Sequence, residues 1–410
     1  MDNVTHSLAG LVLAESAVRL RARRTGTEPS ARFRAIAAVS SLVAANLPDA
    51  DLVYTGVGGD RLAYMLHHRG YTHTVLIALL GAALLWGGAW LVWRWRAGTA
   101  PAREDARWLA GLLLVSTLAH LVLDWTNSYG VHLFWPFDDR WAYGDAVFIV
   151  EPWFWVVAVP PLVAASARRV ARGLLSLVLV VGLGLAWRVQ LVTTGAAVAL
   201  TLGAVLSIVL ARRLRPGPRI AAAVAAWVAV TLVMAAGSAV ARAATVRAVR
   251  AADPAATLVD VVVTPLPANP VCVRVITVER SGAAYRVATA RVSSVPATVA
   301  ASRCVARDGA GPAFRESSRP STAAVQWDLE WAAPHAGLVG LARESCPALA
   351  ALRFIRVPVW RAIDDSTVML GDARYGGASG RGLGDVRVPR RSTACPEAVP
   401  PWTPPRADLL

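Results

Sequence analysis

The 410-residue chain contains no lysine, so all 42 of its basic residues are arginine, against 27 acidic residues and a net charge of +15. An excess of this size is often a mark of nucleic-acid binding. The arginines, however, cluster between apolar segments and do not follow one amphipathic face. Membrane topology explains that distribution better, and we expect no nucleic-acid substrate.

Two further absences concern the compartment. The N-terminus, Met1-Asp2-Asn3, lacks a basic stretch and a small-residue cleavage site, so no secretory signal peptide is predicted. Cysteine is absent from the long apolar part of the chain and is confined to four positions: Cys272, Cys304, Cys346 and Cys395. An even number in one polar region predicts one or two disulfides in an oxidising compartment. Their pairing is left open, and free buried thiols are the alternative.

Apolar sequence is abundant. The mean hydropathy is +0.46, 55% of the residues are hydrophobic and 16 are tryptophan, values typical of a polytopic membrane protein. A helix needs roughly 17–25 apolar residues to cross a bilayer. Runs of about this length occupy 74–93, 108–123, 147–165, 174–192, 195–211 and 220–241. Two shorter runs, 4–18 and 35–47, are marginal spans that could instead form a helical hairpin packed against the others. The sequence thus predicts about six to eight transmembrane helices.

Arginine-rich and arginine-poor loops alternate along the chain. The positive-inside rule places the arginine-rich loops in the cytoplasm, namely 19–34, 94–107, 168–172 and 212–219. Loops 48–71 and 126–146 then face outwards, as does everything after residue 245. One conflict remains, because Arg242, Arg247 and Arg250 follow the last span on the predicted outer side.

From about residue 257 the pattern changes to short β-branched stretches separated by turn-forming residues. Strands are predicted over 258–263, 271–278 and 285–292, with a further pair over 352–359 and 367–370. The predicted architecture is an all-α polytopic membrane domain (1–244), a β-rich extracytoplasmic domain (245–375) and a flexible Gly/Pro/Arg-rich tail (376–410). The predicted location is the bacterial inner membrane, with multiple passes.

Six of the seven histidines lie in the first 132 residues, and most of them are near carboxylates at the ends of apolar segments. Histidine and aspartate bind zinc and similar divalent ions, and polar groups at membrane depth are retained mainly where they function. We therefore predict a membrane-embedded divalent metal site, with zinc favoured and manganese as the alternative. The predicted ligands are His6, Asp49, His68, His73, His120 and Asp124.

Several of these residues have competing interpretations. His120 and Asp124 are four residues apart on one helix face, so they can share an ion, although a buried pair could also merely join two helices. Arg69 can bind phosphate through its guanidinium group, or it can reach the membrane interface as a solvated side chain. Asp49 and Asp51 can ligate or bridge a metal, act as a general base, or form a solvated turn, which suits Asp51 better. The predicted catalytic residues are Asp49, Asp51 and Arg69.

Several short motifs of this chain occur together in one known protein family. They are Asp2-Asn3-Val4-Thr5-His6, Asn46-Leu47-Pro48-Asp49-Ala50-Asp51, His68-Arg69-Gly70-Tyr71-Thr72-His73, His120-Leu121-Val122-Leu123-Asp124, Ser128-Tyr129-Gly130 and Trp135-Pro136-Phe137. In this combination, together with Asp139-Arg140-Trp141, the chain resembles the YdjM-type family of inner-membrane, metal-dependent hydrolases, also described as LexA-binding. Three later motifs resemble the longer members of that family, so the likeness is expected to span most of the chain: Pro267-Ala268-Asn269-Pro270, Arg356-Val357-Pro358-Val359 and Asp372-Ala373-Arg374-Tyr375. The resemblance implies a membrane-bound hydrolase.

A more distant likeness concerns the order of the ligands. The succession His, Asp, His and then His-x3-Asp is similar to that of the zinc-dependent phospholipase C and single-strand nuclease group, whose zinc clusters cleave phosphoesters. The chain lacks the later His-x3-Glu or His-x3-Asp pair of that group. One or two ions are therefore expected, and not three.

Taken together, the sequence predicts hydrolysis of a phosphoester in a lipid or lipid-linked substrate at the outer face of the membrane. The expected partners are the lipid bilayer and that substrate, while protein partners are left open. The alternative is a non-catalytic membrane protein whose His/Asp cluster is structural or binds a partner. A transporter is disfavoured, because the polar residues collect at one membrane face and do not line a path through the midplane.

Overall fold

The computed structural model describes residues 1–56, 61–306, 311–397, 399 and 404–410. Within these residues the N-terminal region is helical and the C-terminal region is rich in sheet. The helices are α1 (Asn3–Thr25), α2 (Ala31–Ala44), α3 (Leu52–Gly56), α4 (Arg61–His67), α5 (Val75–Ala97), α6 (Arg103–Trp125), α7 (Pro152–Ala165), α8 (Arg169–Ala186), α9 (Thr194–Arg213), α10 (Pro216–Ala252), α11 (His335–Glu344) and α12 (Cys346–Ala351).

Five of the described helices, α5, α6, α8, α9 and α10, are long and apolar enough to cross a membrane. A sixth span results if α2 is counted together with residues 47–55, which continue it after a bend of 54°. The prediction of six to eight spans is thus reduced to five or six. The 23-residue α1 is not in this set, and it packs against α2, α6, α7 and α10, as expected for the alternative of a packed helical hairpin.

Helix α7 departs most clearly from the predicted spans. The apolar run over 147–165 yields a helix of only 14 residues, because Glu151 caps it and Pro152 occupies its first position. A proline fits the first turn of a helix, where its missing N–H leaves no bond unmade. The residues before it therefore belong to the connection from α6 and do not extend the span.

The strands of the C-terminal region are β1 (Thr257–Leu266), β2 (Asn269–Ser281), β3 (Ala284–Ser293), β4 (Arg315–Glu316), β5 (Val325–Pro334), β6 (Pro358–Ala362), β7 (Thr367–Asp372) and β8 (Val386–Pro389). They form an antiparallel five-stranded sheet in the order β1-β2-β3-β5-β4 and a three-stranded sheet in the order β6-β7-β8. The first three predicted strands are thus present. The predicted pair over 352–359 and 367–370 is present as β6 and β7, but β6 begins only at Pro358.

The segment predicted as a flexible tail is partly built into this region. Strand β8 pairs with β7 along Val386–Pro389, and Leu409 is buried in the same apolar core as the second sheet. Both pairs of cysteines form disulfides, Cys272–Cys304 and Cys346–Cys395. The second disulfide ties the segment after β8 to the start of α12. The prediction of a loose tail over 376–410 does not describe these residues, since the contacts that order them are distant in sequence.

The helical and sheet-rich regions share extensive contacts. The 37-residue α10 continues past the length of a bilayer span and packs on β1 and β2. Near its end Arg242 makes an ion pair with Asp145, the two groups being 2.7 Å apart. Asp145 also pairs with Arg356 of the sheet-rich region at 2.8 Å. One of the three arginines that conflicted with the charge rule thus belongs to an ion-pair cluster between the two regions.

Candidate metal centre

The predicted ligands come together because the start of α1, the end of α2, the start of α5 and the end of α6 lie on the same side of the helical region. His6 is in the first turns of α1, and His73 directly precedes α5, while His120 and Asp124 are in the last turns of α6. Asp49 lies in a short 3-10 helix that follows α2. Four separate segments thus deliver their polar side chains to one buried cluster.

Five of the six distances among four donor atoms of this cluster are close to the edges of a tetrahedron, and the sixth, between the Asp49 and Asp124 oxygens, is below 4.8 Å. His73 Nε2 lies 3.1 Å from Asp124 Oδ2, His120 Nε2 lies 3.2 Å from the same oxygen, and the two Nε2 atoms are 3.2 Å apart. Asp49 Oδ1 lies 3.3 Å from His73 Nε2 and 3.7 Å from His120 Nε2. Zinc–ligand bonds of about 2.0–2.1 Å in tetrahedral geometry separate the ligand atoms by roughly 3.3 Å. The spacing of these four atoms therefore suits a zinc-sized ion.

The orientation of His120 is held by the backbone at the end of α2. Its Nδ1 lies 2.7 Å from the carbonyl oxygen of Ala45, so Nδ1 donates and Nε2 presents its lone pair to the cluster. Ala45 is itself positioned by the close approach of α1, since a side chain at Gly10 would lie 2.9 Å from its Cβ and 2.7 Å from the carbonyl oxygen of Ser41. The glycine thus permits the helix contact that orients a ligand.

The two oxygens of Asp124 have different neighbours. Oδ1 accepts a hydrogen bond of 2.8 Å from the Arg69 guanidinium, contacts the amino group of Met1 and lies 3.3 Å from His6 Nε2. Oδ2 is buried and makes no hydrogen bond of good geometry with any described residue. A buried carboxylate oxygen without a hydrogen-bond partner is costly, and an ion would satisfy it. This is the second observation that fits a metal at this position.

Asp51 lies behind the histidines. Its Oδ2 accepts hydrogen bonds from the Arg69 backbone N–H at 2.8 Å and from the Thr72 hydroxyl at 3.0 Å, and lies 3.4 Å from His73 Nδ1. Its Oδ1 lies 3.1 Å from His68 Nδ1. Asp51 can therefore orient two histidines. Together with Asp49 and His68 it also forms a second set whose donor atoms lie within 4.8 Å of one another.

Arg69 has an unusual backbone and a crowded side chain. Its φ of 60° is in the left-handed region, which non-glycine residues rarely adopt, and such strain is concentrated at functional sites. The guanidinium lies 4.6 Å from the Tyr129 ring and 3.4 Å from both Asn127 Oδ1 and the Gly130 carbonyl oxygen. Its Nε is buried and has no hydrogen-bond partner among the described residues.

Two histidines outside the candidate spans, His73 and His132, have pKa values that are shifted by burial and by neighbouring groups. Burial lowers the pKa of His73, but the carboxylates of Asp124, Asp49 and Asp51 outweigh it and raise the pKa to about 10. The position between these carboxylates therefore favours a positive charge. Burial lowers the pKa of His132 to about 4, so this histidine is neutral near pH 7, and its Nδ1 lies 3.2 Å from the Arg69 carbonyl oxygen.

Most motifs that carried the resemblance lie in the region that forms this cluster, whereas those at 267–270, 356–359 and 372–375 lie in the sheet-rich region. The family model described as YdjM inner membrane protein matches residues 1–195. This match confirms the recognition of a YdjM-type region, and it includes every predicted site residue. No curated protein and no solved structure matches the chain. The YdjM match and the apolar helices together indicate a multi-pass inner-membrane protein, and residues 196–410 lie outside the match.

The structure brings all eight predicted site residues into one neighbourhood, and their individual roles stay predictions. Four form the tetrahedral set, His68 and Asp51 belong to the second set, and Arg69 contacts both. His6 is stacked on His120, with ring centroids 3.8 Å apart, and belongs to neither set. The sequence analysis did not predict that Asn127, Tyr129 and His132 contact Arg69. Their position shortly after the His120–Asp124 pair could have indicated that they lie near the site.

Proposed function

We propose that the protein is a membrane-bound, metal-dependent hydrolase that cleaves a phosphoester of a lipid or lipid-linked substrate at the outer face of the membrane. The observation that carries the proposal is the tetrahedral arrangement of His73 Nε2, His120 Nε2, Asp124 Oδ2 and Asp49 Oδ1. Two imidazoles and two carboxylates are a donor set that zinc accepts readily and manganese also tolerates. Zinc is therefore the proposed ion.

A divalent ion held by this set would polarise a phosphoryl oxygen, and it would lower the pKa of a water bound as a fifth ligand toward ~7. The protein's own contribution is to hold the donors in place, through the Ala45 carbonyl for His120 and through Arg69 for Asp124 Oδ1. Asp49 is the least buried of the four donors and can also accept a proton from an attacking water. We assign it the role of ligand and general base.

Arg69 is proposed to bind the phosphoryl group. Its side chain is next to the metal set, carries a fixed positive charge and has a buried Nε that no described residue satisfies. A guanidinium matches the geometry of phosphate oxygens and stabilises charge that develops on them during the reaction. The lipid nature of the substrate is supported by the position of the cluster at the ends of apolar helices.

The proposal is tested by measuring the metal content of detergent-purified protein by elemental mass spectrometry. The wild type is expected to hold zinc or manganese, and the ion should be lost in His120→Ala and in Asp124→Ala, because each substitution removes one corner of the tetrahedron. Turnover of a phosphodiester probe such as bis(p-nitrophenyl) phosphate should disappear in the same variants. His335→Ala, which changes a histidine of the C-terminal region, is the matched control.

Two results would contradict the assignment. Folded wild-type protein that binds no ion, even when chelators are avoided throughout, would favour a structural His/Asp cluster and a non-catalytic role. Activity retained in Asp124→Ala would remove this aspartate from the metal site.

A further inference from the structure

We propose that the site holds two divalent ions, bridged by the Asp49 carboxylate. The first ion occupies the set of Asp49, His73, His120 and Asp124, and the second occupies the set of Asp49, Asp51 and His68. The inference rests on the proposed function, since it presupposes the first ion. It extends the proposed function by naming the ion to which water and substrate bind.

The first argument is coordination number. The tetrahedral set provides four protein donors, so water or a substrate oxygen can reach an ion there only as a fifth ligand. A catalytic site needs a position that the protein leaves open for water or substrate. The second set provides only three protein donors, so an ion there keeps such a position without loss of any ligand from the first ion.

The second argument is the shared carboxylate. Asp49 is the one residue common to both sets, and each set has its donor atoms within 4.8 Å of one another. A carboxylate has two oxygens and can bind one ion with each of them, so in the two-ion site Asp49 acts as a ligand of both ions and not as the general base. Hydrolytic two-ion sites place their ions about 3.5–4 Å apart, which is a distance that one bridging carboxylate spans.

The third argument is accessibility. His73, His120 and Asp124 are at most 1% exposed, whereas Asp49 is 9% and His68 is 7% exposed. Asp51 of the second set is fully buried, so it is the Asp49 and His68 side of this set that lies nearer to solvent. An ion held there is the one that a water molecule or a phosphoryl oxygen can reach first.

The fourth argument is charge. Three aspartates contribute to the two sets, and one divalent ion together with the Arg69 guanidinium balances them. A second ion leaves an excess of positive charge, which attracts an anionic phosphoester into the site. Arg69 is joined to both sets, through its backbone N–H to Asp51 and through its guanidinium to Asp124, so it lies beside both proposed ions.

The test is manganese loading of the chelator-treated, full-length protein in detergent. Bound manganese is counted by elemental mass spectrometry, and electron paramagnetic resonance reports whether the ions are coupled. The wild type is expected to bind two ions per chain and to give an exchange-coupled spectrum. His68→Ala should bind one ion and show the six-line spectrum of isolated manganese. His67→Ala, which alters a neighbouring histidine that belongs to neither set, should still bind two.

Each other outcome has a definite meaning. One ion in the wild type, or two coupled ions in His68→Ala, overturns the second site and leaves the proposed function standing. No ion in the wild type overturns the proposed function as well. Gel filtration verifies the fold, and if His68→Ala aggregates, His68→Gln serves in its place with the same expected loss of one ion.

Discussion

Asp124 has the orientation that its proposed role as a metal ligand requires. One of its oxygens is held by Arg69, His6 and the Met1 amino group, while the other faces the two Nε2 atoms. With Oδ1 held in this way, the carboxylate cannot rotate freely. An ion that binds as proposed would meet a donor whose direction is already determined, which would reduce the entropy lost on binding.

Arg69 gives a prediction that separates metal binding from turnover. In Arg69→Gly the four donors remain, and Asp124 Oδ1 keeps its contacts with His6 and the Met1 amino group, so the metal content at saturating ion should equal that of the wild type. Turnover of the phosphodiester probe should fall by ~10²-fold because the charge on the phosphoryl group loses its stabilising partner. Glycine is chosen because it tolerates the φ of 60°. Arg69→Ala should lose the same activity and be less stable than Arg69→Gly by about 1 kcal/mol, because alanine, like arginine, is strained at this φ.

The control for this prediction is Arg140→Ala, which removes an exposed arginine that pairs with Asp138 in the neighbouring loop. It should match the wild type in metal content and turnover. If Arg69→Gly also loses its metal, Arg69 acts through Asp124, and its assignment to the substrate is wrong.

Among the elements, the start of α7 is a pH-sensitive contact between the two regions. Glu151 accepts hydrogen bonds from the backbone N–H groups of Trp153 and Ala268, and burial raises its pKa to about 8. The pKa of Glu151 is higher in the folded than in the unfolded protein. Its contribution to the free energy of unfolding is therefore fully present below about pH 4.5 and is lost as the pH rises toward 8. Between pH 6 and pH 8 the loss should be about 2 kcal/mol.

Thermal unfolding in detergent at pH 6 and pH 8 measures this effect. Glu151→Gln cannot ionise, so its unfolding temperature should lack this component of the pH dependence. Glu28→Gln, which changes an exposed glutamate, should retain the dependence of the wild type. Equal slopes in the wild type and Glu151→Gln would show that Glu151 does not titrate in this range.

The elements also show what the sequence could and could not predict. The convergence of the histidines and aspartates was predictable, because loop charge places the ends of α1, α2, α5 and α6 on one side. The length of α7 was not, since an apolar run does not reveal where a cap and a proline begin the helix. Strands β5 and β8 and the helices α11 and α12 depend on pairing and packing with distant residues, which a local pattern does not contain.

At the scale of the whole molecule, the sheet-rich region reaches the metal centre through Arg374. This arginine is buried, binds Asp372 through two nitrogens and donates to the carbonyl oxygens of Ser128 and Tyr129 at 2.7 and 3.3 Å. Tyr129 in turn lies against the Arg69 guanidinium. Residues that follow β7 thus support the loop that surrounds the proposed substrate arginine.

Arg374→Ala is accordingly expected to lower the turnover of the phosphodiester probe while leaving the metal content unchanged, since no metal donor contacts Arg374. Arg374→Lys should restore only part of the activity, because one ammonium cannot replace the several directed bonds of the guanidinium. Arg387→Ala, at an exposed position on β8, should be neutral. Wild-type turnover in Arg374→Ala would mean that the loop is held without this contact.

The orientation of the molecule in the membrane is the remaining prediction at this scale. The positive-inside rule and the need of two disulfides for an oxidising compartment both place the sheet-rich region outside the cytoplasm. An impermeant maleimide should therefore label Arg387→Cys in intact spheroplasts, and should label Arg213→Cys, at the cytoplasmic end of α9, only after permeabilisation. Both positions are exposed, and each described native cysteine is in a disulfide, so the wild type serves as the unlabelled control. The reverse pattern would put the metal centre on the cytoplasmic side, because the ends of α1, α2, α5 and α6 that carry it share the side of the sheet-rich region.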